Sequence, residues 1–357
     1  SGYGVSKTSP GKIADLKRHL VCVNRTDGKI IWSQAVPATL PEDMFRGFIT
    51  EHGYASSTPV TDGERVYVFF GKSGVVAFDM AGKKLWQVSV GKMSGNRRWG
   101  SAASPVLYKD YVIVNASEEA RSIIALDKKT GKQTWKAEGE SLELSYNTPL
   151  LVDVAAGRQD LVVALPNEVW GINPDTGKLR WFAKTEIGGN VSPTIVSGGG
   201  GLYIFGGYPR LGSAGIRAGG SGDVTKTHVM WTSKDSTYVP SPVYLDGKLY
   251  WVSDRGVAFC IEAKTSKRIY SETLAGVAAK GGGKLVYAST LLVGGKLYAV
   301  TRTGGTYVLA ASPTFKQIAV NRFASDTSDF HGTPAISDGQ MFLRSNRYLY
   351  CVQAGGK

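Results

Sequence analysis

The sequence has few of the residues that build disulfide, metal and haem sites. Its 357 residues include three cysteines and four histidines. Cys22, Cys260 and Cys351 lie far apart, and none belongs to a CxxC or CxxCH motif, which argues against a zinc ribbon and a covalently attached haem. The histidines show neither HExxH nor HxH spacing, so no metal site is predicted.

Long apolar runs and catalytic motifs are also lacking. No apolar run approaches the length of a membrane-spanning helix, and no GxSxG nucleophile elbow is present. The segment Gly281-Gly282-Gly283-Lys284 resembles a phosphate loop only in part, because Leu285 stands where Ser or Thr would bind magnesium. No motif specific for nucleic acid is found. These observations predict no catalytic residue.

Acidic residues are fewer than basic ones. The 42 Lys and Arg residues against 29 Asp and Glu give a formal net charge of +13. Such a balance attracts acidic partners at low salt, although dispersed Lys is also common on soluble proteins. The chain has no signal peptide and does not begin with Met, which fits either a mature secreted protein or an expression fragment.

The sequence is rich in one repeated phrase, an apolar run followed by a turn and an aromatic residue. The copies are LVCVNRTDGKIIW (20–32), VVAFDMAGKKLW (75–86), SIIALDKKTGKQTW (122–135), VWGINPDTGKLRW (169–181), and the weaker VAFCIEAKTSKRIY (257–270) and YVLAASPTFKQIA (307–319). The segment 200–231 keeps only its final Trp231 and has a Gly-rich insertion in place of the turn, and YLYCVQ (348–353) is a partial copy. Repeats of this kind indicate solenoids or propellers.

A second phrase alternates with the first. It reads SSTPVTDGERVYVFF (56–70), SPVLYKDYVIV (104–114), TPLLVDVAAGRQDLVVAL (148–165), SPTIVSGGGGLYIF (192–205), SPVYLDGKLYWV (241–252), STLLVGGKLYAV (289–300) and TPAISDGQMFL (333–343). Each phrase is a β-rich run, a turn signal and a second run, which predicts a hairpin. Two hairpins per period of roughly 40–50 residues predict four-stranded antiparallel propeller blades.

Within the first phrase, three positions have structural interpretations. Small residues occupy one column of the third strand, which would suit the taper between stacked blades; they are Cys22, Ala77, Ala125, Gly171, Cys260 and Cys351. Asp79 and Asp127 are expected to accept backbone N–H bonds in the turn. The aromatic column is expected to bury apolar area between blades and contains Trp32, Trp86, Trp135, Trp181 and Trp231. Tyr270 and Ala319 replace Trp in the late copies, where contacts should be weaker or filled differently.

The pattern ALDxxTGKxxW, alternating with SPV-type strands, resembles the pyrroloquinoline-quinone-like β-propeller repeat family. The resemblance extends from about Leu20 to Gln353. The sequence also resembles secreted bacterial propellers that have this repeat. The family contains quinoprotein alcohol dehydrogenases and BamB-like outer-membrane assembly lipoproteins. The dehydrogenases hold the quinone with adjacent disulfide-bonded cysteines, a Trp beneath the ring, and a calcium bound by Glu, Asn and Asp. This sequence has no adjacent cysteines, so no cofactor is expected. Because the three cysteines share the small-residue column with Ala77 and Ala125, they are predicted to be reduced and inaccessible.

The expected architecture is a single all-β domain over residues 1–357. Eight blades are predicted, the first lacking its innermost strand at the N-terminus. The alternative is seven blades, closed by strands shared between the two termini.

Loops that join the fourth strand of one blade to the first strand of the next should gather at the mouth of an axial channel. Polar and aromatic residues just ahead of the SPV phrases are therefore predicted to bind ligand; they are His52, Tyr54, Arg97, Arg98, Trp99, Tyr146, Asn190, Tyr238, Tyr287 and His331. The alternative is that these aromatics only plug the channel. Ligand preference should depend on the long loops 37–52, 88–98 and 272–286.

These features predict a monomeric, non-catalytic binding or scaffolding module of the bacterial cell envelope, periplasmic or secreted. Its ligand would be a protein or an anionic or glycan-like molecule at one face. The alternative is an enzyme that uses the channel mouth, either a quinone-dependent dehydrogenase or a hydrolase.

Overall fold

The structure is a computed structural model that describes residues 2–3, 11–155, 157–277 and 284–353, with residues 2, 3 and 155 as backbone only. In these residues nearly all regular structure is β-strand, which confirms the predicted all-β class. The helices α1 (Ile49–His52), α2 (Ser117–Ala120) and α3 (Thr225–His228) have four residues each. Two compact units are found: unit 1 is Ser1–Lys184 with Gly219–Asp223, and unit 2 is Thr185–Ala218 with Val224–Lys357.

Unit 1 contains four antiparallel sheets. Their strands are β1 (Gly2–Tyr3), β2 (Lys17–Val23) and β3 (Ile30–Pro37); β4 (Val60–Thr61), β5 (Arg65–Phe69), β6 (Val75–Asp79) and β7 (Lys84–Val88); β8 (Val106–Tyr108), β9 (Tyr111–Ala116), β10 (Ser122–Asp127) and β11 (Gln133–Glu138); and β12 (Leu150–Ala155), β13 (Arg158–Leu165), β14 (Glu168–Ile172) and β15 (Leu179–Lys184). A short strand of the Gly-rich insertion, numbered β19 (Gly222–Asp223) in chain order, pairs with β15 in parallel.

Unit 2 contains the remaining four sheets. Their strands are β16 (Val196–Gly198), β17 (Gly201–Gly206), β18 (Gly212–Arg217) and β20 (Val229–Ser233); β21 (Val243–Leu245), β22 (Lys248–Val252), β23 (Val257–Glu262) and β24 (Arg268–Thr273); β25 (Leu291–Val293), β26 (Lys296–Thr301), β27 (Gly305–Ala310) and β28 (Gln317–Asn321); and β29 (Ala335–Ser337), β30 (Gln340–Arg344) and β31 (Leu349–Gln353).

The prediction of eight blades was wrong. Among the described residues, seven sheets begin with an SPV-type first strand, namely β4, β8, β12, β16, β21, β25 and β29, so the blade count is seven. The N-terminal copy of the first phrase forms only the hairpin β2–β3, and the two-residue strand β1 pairs with β2. This hairpin is part of a three-stranded sheet whose described strands include no SPV-type first strand.

The small and aromatic columns of the first phrase lie directly opposite each other on neighbouring strands. Ala125 pairs with Trp135, and Gly171 pairs with Trp181. A Cβ on Gly171 would lie 2.0 Å from an indole carbon of Trp181. The residue is therefore small because the cross-strand indole lies over it, rather than because of the taper between blades.

In unit 1, each of the first three repeat tryptophans also docks on the turn of the next sheet. The Nε1 atoms of Trp32, Trp86 and Trp135 donate to the carbonyl oxygens of Met80, Lys128 and Pro174, at 3.2, 3.1 and 3.0 Å. The turn glycines Gly82, Gly131 and Gly177 have positive φ, and a Cβ on any of them would lie 2.6–2.8 Å from the indole. The glycine thus serves both the turn conformation and the close approach of the ring.

Trp181 differs from these three. Its Nε1 donates to Oδ2 of the buried Asp160 in its own sheet, at 2.7 Å. Asp160 also accepts hydrogen bonds from Arg158 and Arg180, which hold its pKa below the usual value against the effect of burial. The fully buried Trp181 is thus anchored by a charged network within one sheet.

The predicted role of the turn aspartates is confirmed. Oδ1 of Asp127 accepts hydrogen bonds from the backbone N–H of Lys129 and Thr130 and from the Thr130 hydroxyl, at 3.0, 2.8 and 2.7 Å. The Thr130 hydroxyl bond is the largest cause that lowers the pKa of Asp127. Asp79 accepts one such bond, from the N–H of Lys83 at 2.8 Å.

The late repeats of unit 2 are filled differently, as predicted. Trp231 still donates to the Ala263 carbonyl at 2.9 Å. Tyr270, which replaces Trp, instead meets Phe315 edge-on at 5.6 Å between ring centroids. In unit 1 the turn of the next sheet has a glycine against the indole, which leaves room for the ring. Here the ring of Phe315, from the turn of the next sheet, occupies that place.

The prediction that all three cysteines are inaccessible was wrong. All three are free, but only Cys260 is buried, whereas Cys22 is half-buried and Cys351 is exposed. Cys260 pairs with Tyr270 of the neighbouring strand β24 and belongs to a cluster of buried hydrophobic residues. Cys22 and Cys351 lie in the two three-stranded sheets, where less of the neighbouring structure covers them.

Candidate functional site

One edge of the unit 1 sheets carries the loops that precede first strands and the loops that join second to third strands. The antiparallel pairing of β8, β9 and β10 brings both kinds of loop to the same edge. We call this edge, formed by residues 38–59, 70–74, 89–105 and 117–121, the loop edge. The tight turns at 62–64, 80–83, 109–110 and 128–132 form the opposite, turn edge.

A recess that opens to solvent lies in the loop edge of unit 1, and its empty space of about 410 Å³ includes part of that open solvent. Ionisable side chains dominate its lining, with an aromatic wall beside them. The charged members are Arg18, Glu42, Asp43, Lys72, Glu118 and Glu119, and the aromatic members include Tyr54, Phe69 and Trp99.

The acidic side of the recess comes from α2, between β9 and β10. Glu118 and Glu119 are 1% and 2% exposed. Burial raises the pKa of Glu118 to about 7, although the backbone N–H of Leu144 opposes the shift. Burial also raises the pKa of Glu119 to about 7, opposed by a 2.6 Å hydrogen bond from the Ser101 hydroxyl. The recess therefore changes charge in the neutral pH range.

The basic side chains of the recess are paired with carboxylates. Arg18 donates to Glu42 Oε2 at 2.5 Å and to the carbonyl oxygen of Tyr54 at 2.8 Å. Lys72 lies 3.1 Å from Asp43 Oδ2. All four ionic side chains are at least nine-tenths buried, so these pairs fix the loops that carry them.

Aromatic rings form the outer wall of the recess. Trp99 packs between Phe48 and Tyr146, with ring centroids at 5.0 and 6.0 Å. The guanidinium of Arg97 lies 5.7 Å from the centre of the Trp99 ring, within reach of a cation–π interaction. The exposed Arg97 and the half-buried Trp99 thus present a cation and a ring face side by side.

Six of the predicted site residues lie in unit 1. His52, Tyr54 and Trp99 line the recess, and Tyr146 packs against Trp99. His52 Nδ1 lies 2.6 Å from the Ser56 hydroxyl. Arg97 and Arg98 are both exposed, and Arg98 adopts a left-handed φ of 54°. The structure thus brings these predicted residues to one edge.

The other four predicted residues form two pairs in unit 2. Asn190 Nδ2 donates to the Tyr238 hydroxyl at 3.2 Å. Tyr287 and His331 stack with ring centroids at 5.7 Å, and Arg302 lies over Tyr287 at 5.3 Å. These contacts would position the four side chains within unit 2.

One predicted loop is only partly described. Residues 278–283 of loop 272–286, and with them Gly281, Gly282 and Gly283 of the phosphate-loop-like segment, lie outside the described residues. Lys284, which follows them, forms an ion pair with the buried Asp254.

The sequence prediction missed the charged residues of the recess. The missed set is Arg18, Glu42, Asp43, Lys72, Glu118 and Glu119. The signal for the last two was the segment SEEA between two apolar strands, where two adjacent acids would interrupt a hairpin. These two glutamates lie in a loop between a second and a third strand, and such loops reach the same edge as the loops that precede first strands.

Sequence and structure comparisons identify the family. A family model described as outer membrane protein assembly factor BamB matches residues 17–272. The chain belongs to this family. The predicted pyrroloquinoline-quinone-like, BamB-like repeat is thereby confirmed. None of the curated proteins matches the chain by sequence.

Solved structures agree on the fold. The crystal structure of BamB from Moraxella catarrhalis has a TM-score of 0.63 at 14% identity and covers 92% of this chain and 91% of that chain. The computationally designed Ika8 protein has a TM-score of 0.62 at 10% identity, covering 96% of this chain and 91% of that chain. At such identities the likeness shows the fold alone, a β-propeller of four-stranded antiparallel blades.

Helices of the described residues are short. In this part of the BamB-like chain none is long and apolar enough to cross a membrane. The same residues contain no group of three or more His, Cys, Asp or Glu side chains arranged to hold a metal ion.

Proposed function

We propose that this chain is a non-catalytic binding and scaffolding propeller of the bacterial cell envelope, which holds a protein partner at the loop edge of unit 1. The observation that carries the proposal is the construction of that edge. Its buried ions, Arg18 with Glu42 and Lys72 with Asp43, pair with one another and brace the loops. A partner can therefore contact the side chains that remain at the surface, which are the exposed Arg97 and Arg98 and the partly exposed Trp99.

Arg and Trp are the residue types that concentrate binding energy in protein interfaces. Trp99 is supported on both sides by Phe48 and Tyr146, so little conformational freedom would be lost when a partner covers it. Arg97 and Arg98 would select partners with acidic surfaces or carboxylate groups. An anionic glycan offers the same chemistry and is the competing ligand in the test below.

Family membership supports the envelope assignment. The matching model is described as an outer membrane protein assembly factor, and a similar solved structure is BamB itself. A periplasmic or secreted location would follow for this chain if it shares that setting.

The loop-edge recess does not fit a pyrroloquinoline quinone. That quinone is a polycarboxylate, and the recess contains four carboxyl side chains against two cations that are already paired. The chain also has no adjacent cysteines. The quinone-dependent alternative therefore gains no support from these residues.

The proposal is tested by retention of envelope proteins on the immobilised chain. The wild-type chain, Arg97→Ala/Arg98→Ala, Trp99→Ala and the turn-edge control Lys129→Ala are compared at two salt concentrations. We expect the double Arg variant to lose the salt-sensitive part of binding, because exposed charges are screened beyond about 8–10 Å at physiological ionic strength. Trp99→Ala should weaken binding at both salt concentrations, and Lys129→Ala should bind like wild type.

An anionic glycan is added as a competitor in the same experiment. If it displaces the retained protein only from chains that keep both arginines, the two ligands share one site. Equal retention by all four chains would show that the loop edge is not the binding surface and would remove the proposal.

A further inference from the structure

Three large apolar side chains are exposed on the loop edge of unit 1, and together we call them the apolar patch. They are Leu40, Met44 and Met93, which are 51%, 59% and 51% exposed. Leu40 and Met44 belong to loop 37–52, and Met93 belongs to loop 88–98. Single apolar side chains scattered over a surface are normal, whereas a group of them in one place indicates an interaction site. What the three indicate therefore depends on whether they lie together.

A single buried ammonium group places the apolar patch. Lys72 Nζ donates to the Pro41 carbonyl at 3.3 Å and to the Ser94 hydroxyl at 2.7 Å, and it lies 3.1 Å from Asp43 Oδ2. Each of these three partners is the chain neighbour of one member of the patch. Because consecutive Cα atoms are at most about 3.8 Å apart, all three members of the patch surround the same ammonium group.

The patch is also held in position by hydrogen bonds between its loops. The Ser94 hydroxyl donates to Asp43 Oδ1 at 2.8 Å, which joins loop 88–98 to loop 37–52. The backbone N–H of Met93 donates to the carbonyl oxygen of Glu119 at 3.0 Å, which joins loop 88–98 to α2. Loops fixed in this way lose little conformational freedom when a partner binds.

The charge around the apolar patch is positive. No exposed residue of segments 38–59 and 89–105 is acidic. The acids Glu42 and Asp43 lie against the buried cations Arg18 and Lys72. An apolar centre with cations around it is complementary to apolar side chains flanked by carboxylates. The exposed ionisable residues of the two segments are all basic; they are Arg46, Lys92, Arg97 and Arg98.

The apolar patch continues into the recess of the loop edge. Met93 and Trp99 both line that recess. One partner can therefore contact the patch, the indole ring and the arginines beside it at the same time. Two of the three members of the patch are methionines, whose flexible thioethers adapt to apolar side chains of different shapes.

We propose that the apolar patch, with the cations around it, binds a segment of a partner protein in which large apolar side chains are flanked by acidic residues. The inference rests on the proposed function, because it names the chemistry of the partner held at the loop edge. A second copy of the chain fits less well, because symmetric contact would bring the same cations together. A lipid surface also fits less well, since a flat bilayer would not enter the recess beside Met93.

The probe is a library of short random peptides displayed on phage. Selections are run in parallel on the immobilised wild-type chain, on Met44→Gln/Met93→Gln and on the control Met80→Gln. Met80 is a matched control because it is 53% exposed and lies on the turn edge of the same unit. We expect peptides with a large apolar residue flanked by Asp or Glu to be enriched on the wild-type and control chains but not on the double variant.

The Kd of an enriched peptide is then measured for each chain. Met44→Gln/Met93→Gln should raise Kd by about tenfold or more, because glutamine is similar in length but removes apolar contact. Met44→Leu/Met93→Leu should retain binding, because leucine keeps the apolar contact. Replacing the acids of the peptide by their amides should weaken binding, and this difference should shrink as salt rises.

Several results would overturn the proposal. Enriched peptides that depend on Arg97 and Arg98 but bind Met44→Gln/Met93→Gln like wild type would refute the apolar patch and leave the loop-edge function standing. Absence of enriched peptides would overturn this proposal alone, since retention of folded envelope proteins is tested separately. Sedimentation with phosphatidylglycerol vesicles that the double variant abolishes would assign the patch to a membrane. A dimer that the double variant dissociates would assign the patch to a second copy, and either assignment would contradict the proposal.

Discussion

Replacing Trp135 by Ala is expected to lower the free energy of unfolding by about 3–5 kcal/mol, the usual cost of truncating a buried aromatic. Trp135 is 7% exposed, pairs across strands with Ala125 and packs its indole on Gly177 of the next turn. Its Nε1 donates to the Pro174 carbonyl at 3.0 Å, a bond that contributes about 1 kcal/mol of that total.

Two further variants separate the parts of this effect. Trp135→Phe keeps most of the apolar area and loses the donor, so it should cost clearly less than the Ala variant, while still leaving the Pro174 carbonyl without that bond. Trp99→Ala should cost less than Trp135→Ala, because Trp99 is only half-buried and lies outside the repeat column.

The assay is denaturant unfolding followed by far-ultraviolet circular dichroism, which does not depend on the tryptophan that is removed. Stability is taken from the midpoint at constant m-value. If Trp99→Ala and Trp135→Ala shifted the midpoint equally, the distinction between repeat and loop-edge aromatics would be lost. A loss below about 1 kcal/mol for Trp135→Ala would refute the docking of the indole on the next turn.

Three further predictions concern a glycine in the repeat, a buried carboxyl group and the cysteines. Gly171→Ala should destabilise the chain strongly, because its Cβ would lie 2.0 Å from the indole on the neighbouring strand, whereas Gly332→Ala meets nothing within 4 Å and should be nearly neutral; equal melting temperatures would refute this. The folded pKa of Glu118 is raised to about 7 from 4.5, so its contribution to stability is largest below pH 4.5 and falls as pH rises to about 7. Glu118→Gln should therefore flatten the decline in melting temperature between pH 4.5 and 7, and an unchanged decline would argue against that raised pKa. Thiol labelling of the native chain should modify Cys351 well before Cys260, and the reverse order would contradict their different burial.

Much of the fold could be predicted from sequence because each repeat contains the residues that determine its own turns and strands. The Asp before each turn, the turn glycine and the alternating apolar runs each determine a hairpin without reference to distant residues. The reason for the small residue opposite Trp181 could not be read in this way, because only the strand register shows that the indole lies over Gly171. The blade count was wrong because the N-terminal phrase pairs with β1 rather than with a full second hairpin.

The site was predictable only in part. His52, Tyr54 and Trp99 were found because they precede first strands, which topology brings to one edge. Glu118 and Glu119 were missed because their importance comes from burial, and burial of a carboxyl within a loop leaves little trace in composition. The exposure of Cys351 was missed for a related reason, since its sequence column predicts a covering neighbour that the described strands of the last sheet do not include.

Site-specific photo-crosslinking in cells of the source organism tests most directly whether the loop edge of unit 1 contacts a protein partner. A photoreactive residue is placed at Arg98 on the loop edge or at Lys129 on the turn edge, both exposed and flanking the same sheet. The account predicts a discrete protein adduct from position 98, weakened by Trp99→Ala, and none from position 129. Adducts from position 129 alone, or from neither position, would contradict it.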